Sequence, residues 1–155
     1  MTAARPAIDV RAVPFDHPDS VALRDAQQAE IAIRYGTPDS EPGPKPSAGD
    51  ITVFYVAYDG DDPVGCGGLR ALDATHGEVK RMFVVAGRRG SGIATTLLRA
   101  LEDDGRGRGW DRVVLETGTE QPDAIRFYER EGYRRIPCFG YYADAPQSLC
   151  YERAL

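Results

Sequence analysis

Gly77-Glu78-Val79-Lys80-Arg81-Met82-Phe83-Val84-Val85-Ala86-Gly87-Arg88-Arg89-Gly90-Ser91-Gly92-Ile93-Ala94-Thr95-Thr96-Leu97-Leu98-Arg99-Ala100-Leu101 is the stretch whose reading decides the fold. Its first half, rich in Val, Met and Phe, reads as a strand. Its second half places apolar residues at Ile93, Ala94, Leu97, Leu98 and Leu101, which is helical spacing. Between them lies Arg88-Arg89-Gly90-Ser91-Gly92. A strand that turns through such a loop straight into a helix presents backbone N–H groups and the positive end of the helix dipole to one point, which suits a phosphate.

The spacing narrows the choice of phosphate ligand. A nucleoside-triphosphate loop needs Gly-x-x-x-x-Gly-Lys-Ser/Thr. Gly87 and Gly92 have that separation, but Ile93 and Ala94 stand where the Lys and the hydroxyl belong. The dinucleotide fingerprint needs a third small residue for close helix packing, and Thr95 occupies that place after Gly90-x-Gly92. What the loop resembles is the acyl-CoA motif of the GNAT superfamily of N-acetyltransferases, Gln/Arg-x-x-Gly-x-Gly/Ala, met by Arg89, Gly92 and Ala94. Further features fall at that superfamily's spacing over most of the chain. Upstream is the strand carrying Glu78. Downstream are a strand, Val113-Val114-Leu115-Glu116-Thr117, and the run Ala124-Ile125-Arg126-Phe127-Tyr128-Glu129-Arg130-Glu131-Gly132-Tyr133, which resembles the superfamily's helix ending Tyr-Glu-x-x-Gly-Phe/Tyr.

The resemblance implies a fold, a cosubstrate and a set of roles. The fold is α/β, with a mixed and mostly antiparallel central sheet, one parallel strand pair, and helices on both faces. The cosubstrate is acetyl-CoA, and no metal is implied. A bulge in the strand would free backbone groups at Met82, Phe83 and Val84 for the pantetheine arm. The pyrophosphate would rest on N–H groups from Arg89, Gly90, Ser91, Gly92, Ile93, Ala94 and Thr95. Arg88 and Arg89 could add charge-assisted contacts, and a solvated turn accounts for Arg88 equally well.

Direct acetyl transfer to an amine needs an unprotonated nitrogen, a polarised thioester carbonyl and a proton for the leaving thiolate. Glu78 lies eleven residues before Arg89, where several members of the superfamily carry a catalytic glutamate; an exposed strand carboxylate paired with Lys80 or Arg70 is the alternative. By strand alternation Glu78 shares a face with Lys80, Met82 and Val84 unless a bulge shifts the parity. Glu116 on the adjoining strand is the second candidate base, and His76 a distant third. Tyr128 matches the tyrosine placed beside the CoA sulfur as general acid. A backbone N–H near Val84 would polarise the carbonyl. One departure is the start of the tyrosine helix, where many members have Asn and this chain has Gln121-Pro122-Asp123. The resemblance also leaves room for a module that binds CoA, or a partner, without turnover.

Composition sets the frame. The chain has 155 residues, enough for a single domain over residues 1–155 with one substantial core. A net charge of −5 and a pI near 5.0 argue against a general nucleic-acid surface or an anionic-membrane surface and mildly favour a cationic acceptor. No apolar run is long enough for a membrane span, and the start lacks a signal-like apolar segment, so a cytoplasmic address is expected. Cys66, Cys138 and Cys150 are odd in number and form no Cys-x-x-Cys pair, which reads as reduced, packed thiols. The resemblance implies a small-molecule or peptide amine as acceptor, without fixing its identity or an oligomeric state.

In chain order, residues 8–15 read as a first strand. A helix follows, capped by Asp19 or Ser20, with Leu23, Ala26 and Ile33 on its apolar side and Gly36 as its stop. Residues 37–49, with prolines at 38, 42, 44 and 46, form a loop that is either a mobile surface segment or, as the resemblance implies, part of the acceptor pocket. Residues 51–58 are apolar on both alternating sets and predict a strand covered on both faces. A turn at 59–63, a glycine-rich strand at 64–70 and a turn at 71–76 lead to the Glu78 strand. The helix after Gly92 is expected to end near Asp104-Gly105. The strand at 112–117 should run parallel to the Glu78 strand. Strands at 133–136 and 148–153 close the chain around an aromatic-rich connection, residues 137–146, which is either packing or a pocket wall.

Overall fold

The computed structural model describes residues 7–37 and 42–155. Seven strands form one sheet in the order β1-β2-β3-β4-β5-β7-β6. They are β1 (Asp9–Ala12), β2 (Val53–Asp59), β3 (Asp62–Ala71), β4 (His76–Val84), β5 (Arg112–Gly118), β6 (Arg134–Ile136) and β7 (Ser148–Ala154). Every pairing is antiparallel except β4 with β5, as the β4–α2–β5 crossover requires. Among the described residues the α-helices are α1 (Pro18–Tyr35), α2 (Ile93–Gly107) and α3 (Pro122–Arg130). Among the described residues no helix is long and apolar enough to cross a membrane.

The sheet is covered on both faces, as the doubly apolar pattern of β2 predicts. Phe54, Val56 and Tyr58 pack with Leu23 of α1. Tyr55 points the other way, towards α2, and donates to Asp104 of that helix at 2.8 Å. Leu97, Leu98 and Leu101 of α2 are fully buried, so its apolar stripe faces the core along its whole length.

The departures from expectation have physical causes. β1 stops at Ala12 because Pro14 begins a turn closed by His17 N–H to the Pro14 carbonyl. The cap of α1 is neither Asp19 nor Ser20: His17 Nδ1 accepts from the Asp19 amide at 3.1 Å, Pro18 takes the first helical position, and Ser20 donates to the Phe15 carbonyl. Ile33 is 85% exposed rather than part of an apolar side. α2 runs past Gly105 to Gly107 because Gly105 gives the close approach that Trp110 needs; a Cβ there would stand 3.1 Å from the indole.

The expectation of reduced thiols is corrected for two of the three cysteines: Cys138 and Cys150 form a disulfide, while Cys66 is free and buried. A separation of 12 residues carries no signal by itself. The antiparallel pairing of Ile136 with Cys150 brings residue 138, just beyond it, to its partner.

Candidate active site

The site begins where β4 and β5 part. Their parallel register runs from His76–Arg112 to Val79–Leu115 and stops, although both strands continue. The cause lies on the other edge of β4. Between the pairs Cys66–Phe83 and Gly68–Lys80, β4 contributes one more residue than β3, and Arg81 absorbs it at φ 59°. The bulge reverses the strand's alternation and corrects the expected parity. Glu78 and Lys80 face the α1 side, whereas Val79, Met82 and Val84 pack on the α2 side.

Two cavities open from this split. The first, about 680 Å³, is lined by Met82, Phe83, Val84, Arg88, Arg89, Gly90, Gly92, Ile93, Ala94 and Thr95, with Arg126, Phe127, Tyr128 and Arg130 of α3 opposite. Of the expected cofactor-binding residues only Ser91 lies off its wall. Its Oγ donates to the Arg88 carbonyl at 2.6 Å and closes the turn. Gly92 caps α2 in the left-handed region at φ 87°, with open space where a Cβ would stand, so conformation rather than crowding demands glycine there. Thr96 N–H makes the first bond of the helical ladder, to Gly92, which leaves the preceding amides of the turn without intrahelical partners. No acidic side chain occupies that first turn. Thr95 Oγ1 donates to Glu131 at 2.9 Å and ties this end of α2 to the end of α3.

The loop arginines are engaged with carboxylates. Arg88 pairs with Asp59 and lies 3.7 Å from Asp62. Arg89 bonds Glu30 of α1 at 2.7 Å and the Val84 carbonyl at 2.9 Å. Arg106 in the last turn of α2 and Arg108 just beyond it pair with Asp103 and Asp104.

The second cavity, about 560 Å³, lies on the α1 side. Its walls are Gln27, Gln28, Ile31 and Tyr35 of α1, Pro42, Gly43 and Lys45 of the following loop, Lys80 and Arg81 of β4, Glu116–Gly118 of β5, and Ala145–Ser148 of the β6–β7 connection. The loop after α1 is therefore a pocket wall at Pro42, Gly43 and Lys45, residues 38–41 lying outside the described residues, whereas the aromatic-rich connection contributes Ala145 and Pro146 but none of its aromatic rings. Gln27, Ile31, Met82, Gln121, Ala124 and Tyr128 line both cavities and form the passage between them.

The candidate catalytic residues are not all brought together. Tyr128, 7% exposed, stands in the passage against Phe127 and Tyr133. Burial, with the nearby Glu116 carboxylate, pushes its hydroxyl well above the ordinary tyrosine value. Glu116 lines the second cavity on the same face of the sheet as Glu78, the paired partner of Val114. Glu78 lines neither cavity. It is 1% exposed and holds Arg70 at 2.9 Å and the Tyr142 hydroxyl at 2.6 Å. Lys80, 5% exposed, donates to that same hydroxyl at 2.8 Å and lies 3.5 Å from Glu78. His76, the first residue of β4, is held by Asp73 of the preceding turn at 2.9 Å and lines neither cavity.

Gln27, Ile31, Lys45 and Arg81 were not legible as site residues. Gln27 and Ile31 are one helical turn apart on a helix with no motif, and Gln27 Nε2 donates to the Met82 carbonyl at 3.0 Å across 55 residues of sequence. Only folding places them beside Tyr128.

The Acetyltransferase (GNAT) family model matches residues 22–133. The chain is similar to an IAA acetyltransferase of Azospirillum brasilense, at 40% identity over 104 residues, 66% of this chain and 67% of that protein. A solved acyl-CoA N-acyltransferase from Klebsiella pneumoniae subsp. pneumoniae has a TM-score of 0.81 at 25% identity, covering 96% of this chain and 97% of that one. A GNAT family acetyltransferase from Elizabethkingia anophelis, solved with acetyl-CoA bound, shares the fold, with a TM-score of 0.70 at 16% identity over 96% and 98% of the two chains.

Proposed function

Since the chain belongs to the GNAT acetyltransferase family and is an acyltransferase enzyme, we propose that it moves the acetyl group of acetyl-CoA to a primary amine by direct attack within a ternary complex. The described residues act as one acyl-CoA N-acyltransferase domain. The observation that carries the reading is the position of Tyr128 in the passage between two cavities, one walled by the glycine loop and one by Glu116.

The first cavity takes acetyl-CoA. The amides at the start of α2 suit its pyrophosphate, and the parted edge of β4 at Met82, Phe83 and Val84 suits its pantetheine arm. Arg126 and Arg130 add positive charge at the rim. The acceptor amine enters from the second cavity.

Glu116 is the base, directly or through a water, and takes the proton that the ammonium form of the amine must shed. The free nitrogen attacks the thioester carbonyl carbon, the carbon–sulfur bond breaks, and Tyr128 supplies the proton that makes CoA a thiol. The second proton of the attacking nitrogen passes through solvent to the Tyr128 phenolate as the amide forms, and Glu116 gives the first to bulk water, so both groups return to their starting states. A raised pKa keeps Tyr128 protonated through the neutral range, as a donor requires. Glu78 has a positioning part, anchoring Tyr142 and Lys80 behind the acceptor wall.

Tyr128→Phe tests the assignment. Thiol release with an amine panel should fall about 10²- to 10⁴-fold, while CoA still raises the melting temperature. Unchanged turnover removes Tyr128 from the mechanism. If the wild-type protein binds CoA and transfers to no amine, the reading gives way to a CoA-sensing module.

A further inference from the structure

Gln27 of α1 borders both cavities, and only one end of its amide is bonded. Nε2 donates to the Met82 carbonyl at 3.0 Å, on the stretch of β4 that has parted from β5. A carbonyl oxygen accepts only from a donor, so this bond decides which end of the amide is nitrogen. The other end, Oε1, is buried, and no described group donates to it. No other buried side-chain oxygen or nitrogen among the described residues is left so. A buried acceptor without a donor is destabilising, and an apolar side chain of the same length would fill the place without that penalty.

The chemistry of the passage limits what can donate to Oε1. The thioester that meets Tyr128 in the acetyl-transfer reading offers a methyl group, a carbonyl oxygen and a sulfur, none of which is a hydrogen-bond donor of that kind. The nearest N–H of the cofactor lies two methylenes behind the sulfur, towards the glycine loop. The attacking nitrogen remains. As an ammonium group it brings three N–H hydrogens. Glu116 takes the first, the second leaves as the amide forms, and the third stays in the product. An uncharged oxygen suits that third hydrogen, because it accepts from an ammonium, an amine and an amide alike. Unlike a second carboxylate, it does not hold the nitrogen in its protonated form. The terminal torsion of glutamine is broad, so a small turn about it brings Oε1 to the nitrogen while Nε2 stays by Met82.

We propose, resting on the acetyl-transfer reading above, that Gln27 Oε1 accepts the N–H that the acceptor retains, and so aims the nitrogen lone pair at the thioester carbon and sets a preference for primary amines. A secondary amine has no such hydrogen. Once Glu116 has taken one proton from its ammonium form, the single N–H left must itself leave as the tertiary amide forms. Its extra alkyl group then stands against Oε1, which stays unpaired through the transition state. The bond to Met82 fixes the same amide to β4, so the aim of the nitrogen is set against the strand edge proposed for the pantetheine arm.

The test is thiol release from acetyl-CoA with benzylamine, tyramine and phenethylamine, each beside the same amine methylated once at nitrogen. The wild-type protein should favour the primary amine of each pair about ten- to hundredfold in kcat/KM. Gln27→Met keeps the length of the side chain and removes the acceptor oxygen. It should lower kcat/KM for the primary amine by about that factor and leave the N-methyl amine nearly unchanged, so that the preference collapses. Binding of CoA, followed by thermal shift, is the folding control. A role confined to holding Met82 would instead depress both amines of a pair equally. That result, an unchanged preference in the variant, or a loss of CoA affinity alone overturns the assignment of Gln27 and leaves acetyl transfer standing. So does a wild-type protein that acetylates the N-methyl amines as well as the primary ones. CoA binding with no turnover of any amine overturns both.

Discussion

The two cavities beside Tyr128 are built in different ways. The side proposed for the cofactor is made by backbone: a glycine cap at φ 87°, a helix end whose first amides lack intrahelical partners and a strand edge released by a bulge, all within about one βα unit of contiguous sequence. The side proposed for the acceptor is made by side chains drawn from α1, the loop after it, β4, β5 and the β6–β7 connection. A site made of backbone tolerates most changes of side chain around it and answers to conformation. A site made of side chains answers to charge and to whatever holds its distant walls in place.

The largest expected effect tests the division at its centre. Glu116→Gln keeps the shape of the α1-side cavity and removes the proposed base, so turnover should fall about 10²- to 10⁴-fold with CoA affinity unchanged. Raising the pH should restore part of the loss, because more of the amine is then already unprotonated. A Glu116→Gln variant as active as the wild type at neutral pH would leave the base to be sought elsewhere, with Glu78 next.

Each side also has its own anchor. Behind the cofactor cleft, Glu102 of α2 is fully buried and holds Arg99 at 2.7 Å, Tyr133 at 2.7 Å and Arg153 of β7. Glu102→Ala should cost about 3 kcal/mol, the lower end for breaking a buried pair because both arginines keep some solvent, and should weaken CoA binding in step. Behind the acceptor wall, the Cys138–Cys150 disulfide fixes the connection that carries Tyr142 and Ala145–Ser148. Cys138→Ser should cost up to about 3 kcal/mol on the loop-entropy account and raise KM for the acceptor several-fold while leaving the CoA dissociation constant alone. The contrast between the two sides fails if either variant moves both binding constants equally.

Gly92→Ala comes next. Nothing stands within 4 Å of the added methyl, so the cost is that of a left-handed residue, about 1 kcal/mol. Strain at the cap should appear as weaker CoA binding at constant acceptor KM. An effect on the acceptor alone would mean that the loop serves the other cavity.

The same contrast explains what the sequence made legible. The β4–loop–α2 unit could be read because its signals are local: strand period, glycine spacing and helical period follow one another, and Gly92 and Ala94 are recognisable by position. Tyr128 could be singled out because it sits in a short helix pattern, and Glu116 because its strand adjoins the one that carries Glu78. Lys80, Arg81, Lys45 and Gln27 were not, since no residue near them in sequence says what they face. The alternation rule assigned Glu78 and Met82 to one face, and a single inserted residue at Arg81 undid it. The disulfide was missed for a similar reason: its partners meet only through the β6–β7 register.

The smallest effect is expected far from both cavities, in the turn that starts β4. Asp73 accepts from the Thr75 amide at 2.8 Å, the Thr75 hydroxyl at 2.8 Å and the His76 amide at 3.1 Å. The Thr75 backbone bond leads the forces that push its carboxyl down to about 2 from an ordinary 3.8. A depressed carboxylate stabilises the fold above its unfolded value and loses that contribution as pH falls through the folded value. The gap in melting temperature between wild type and Asp73→Ala should therefore be constant from neutrality to about pH 5 and narrow between about 4 and 2. Solvent at this exposed turn keeps the gap small. A gap independent of pH would mean that Asp73 acts through turn conformation alone, and any change in either binding constant would tie this turn to the parting of β4 and β5.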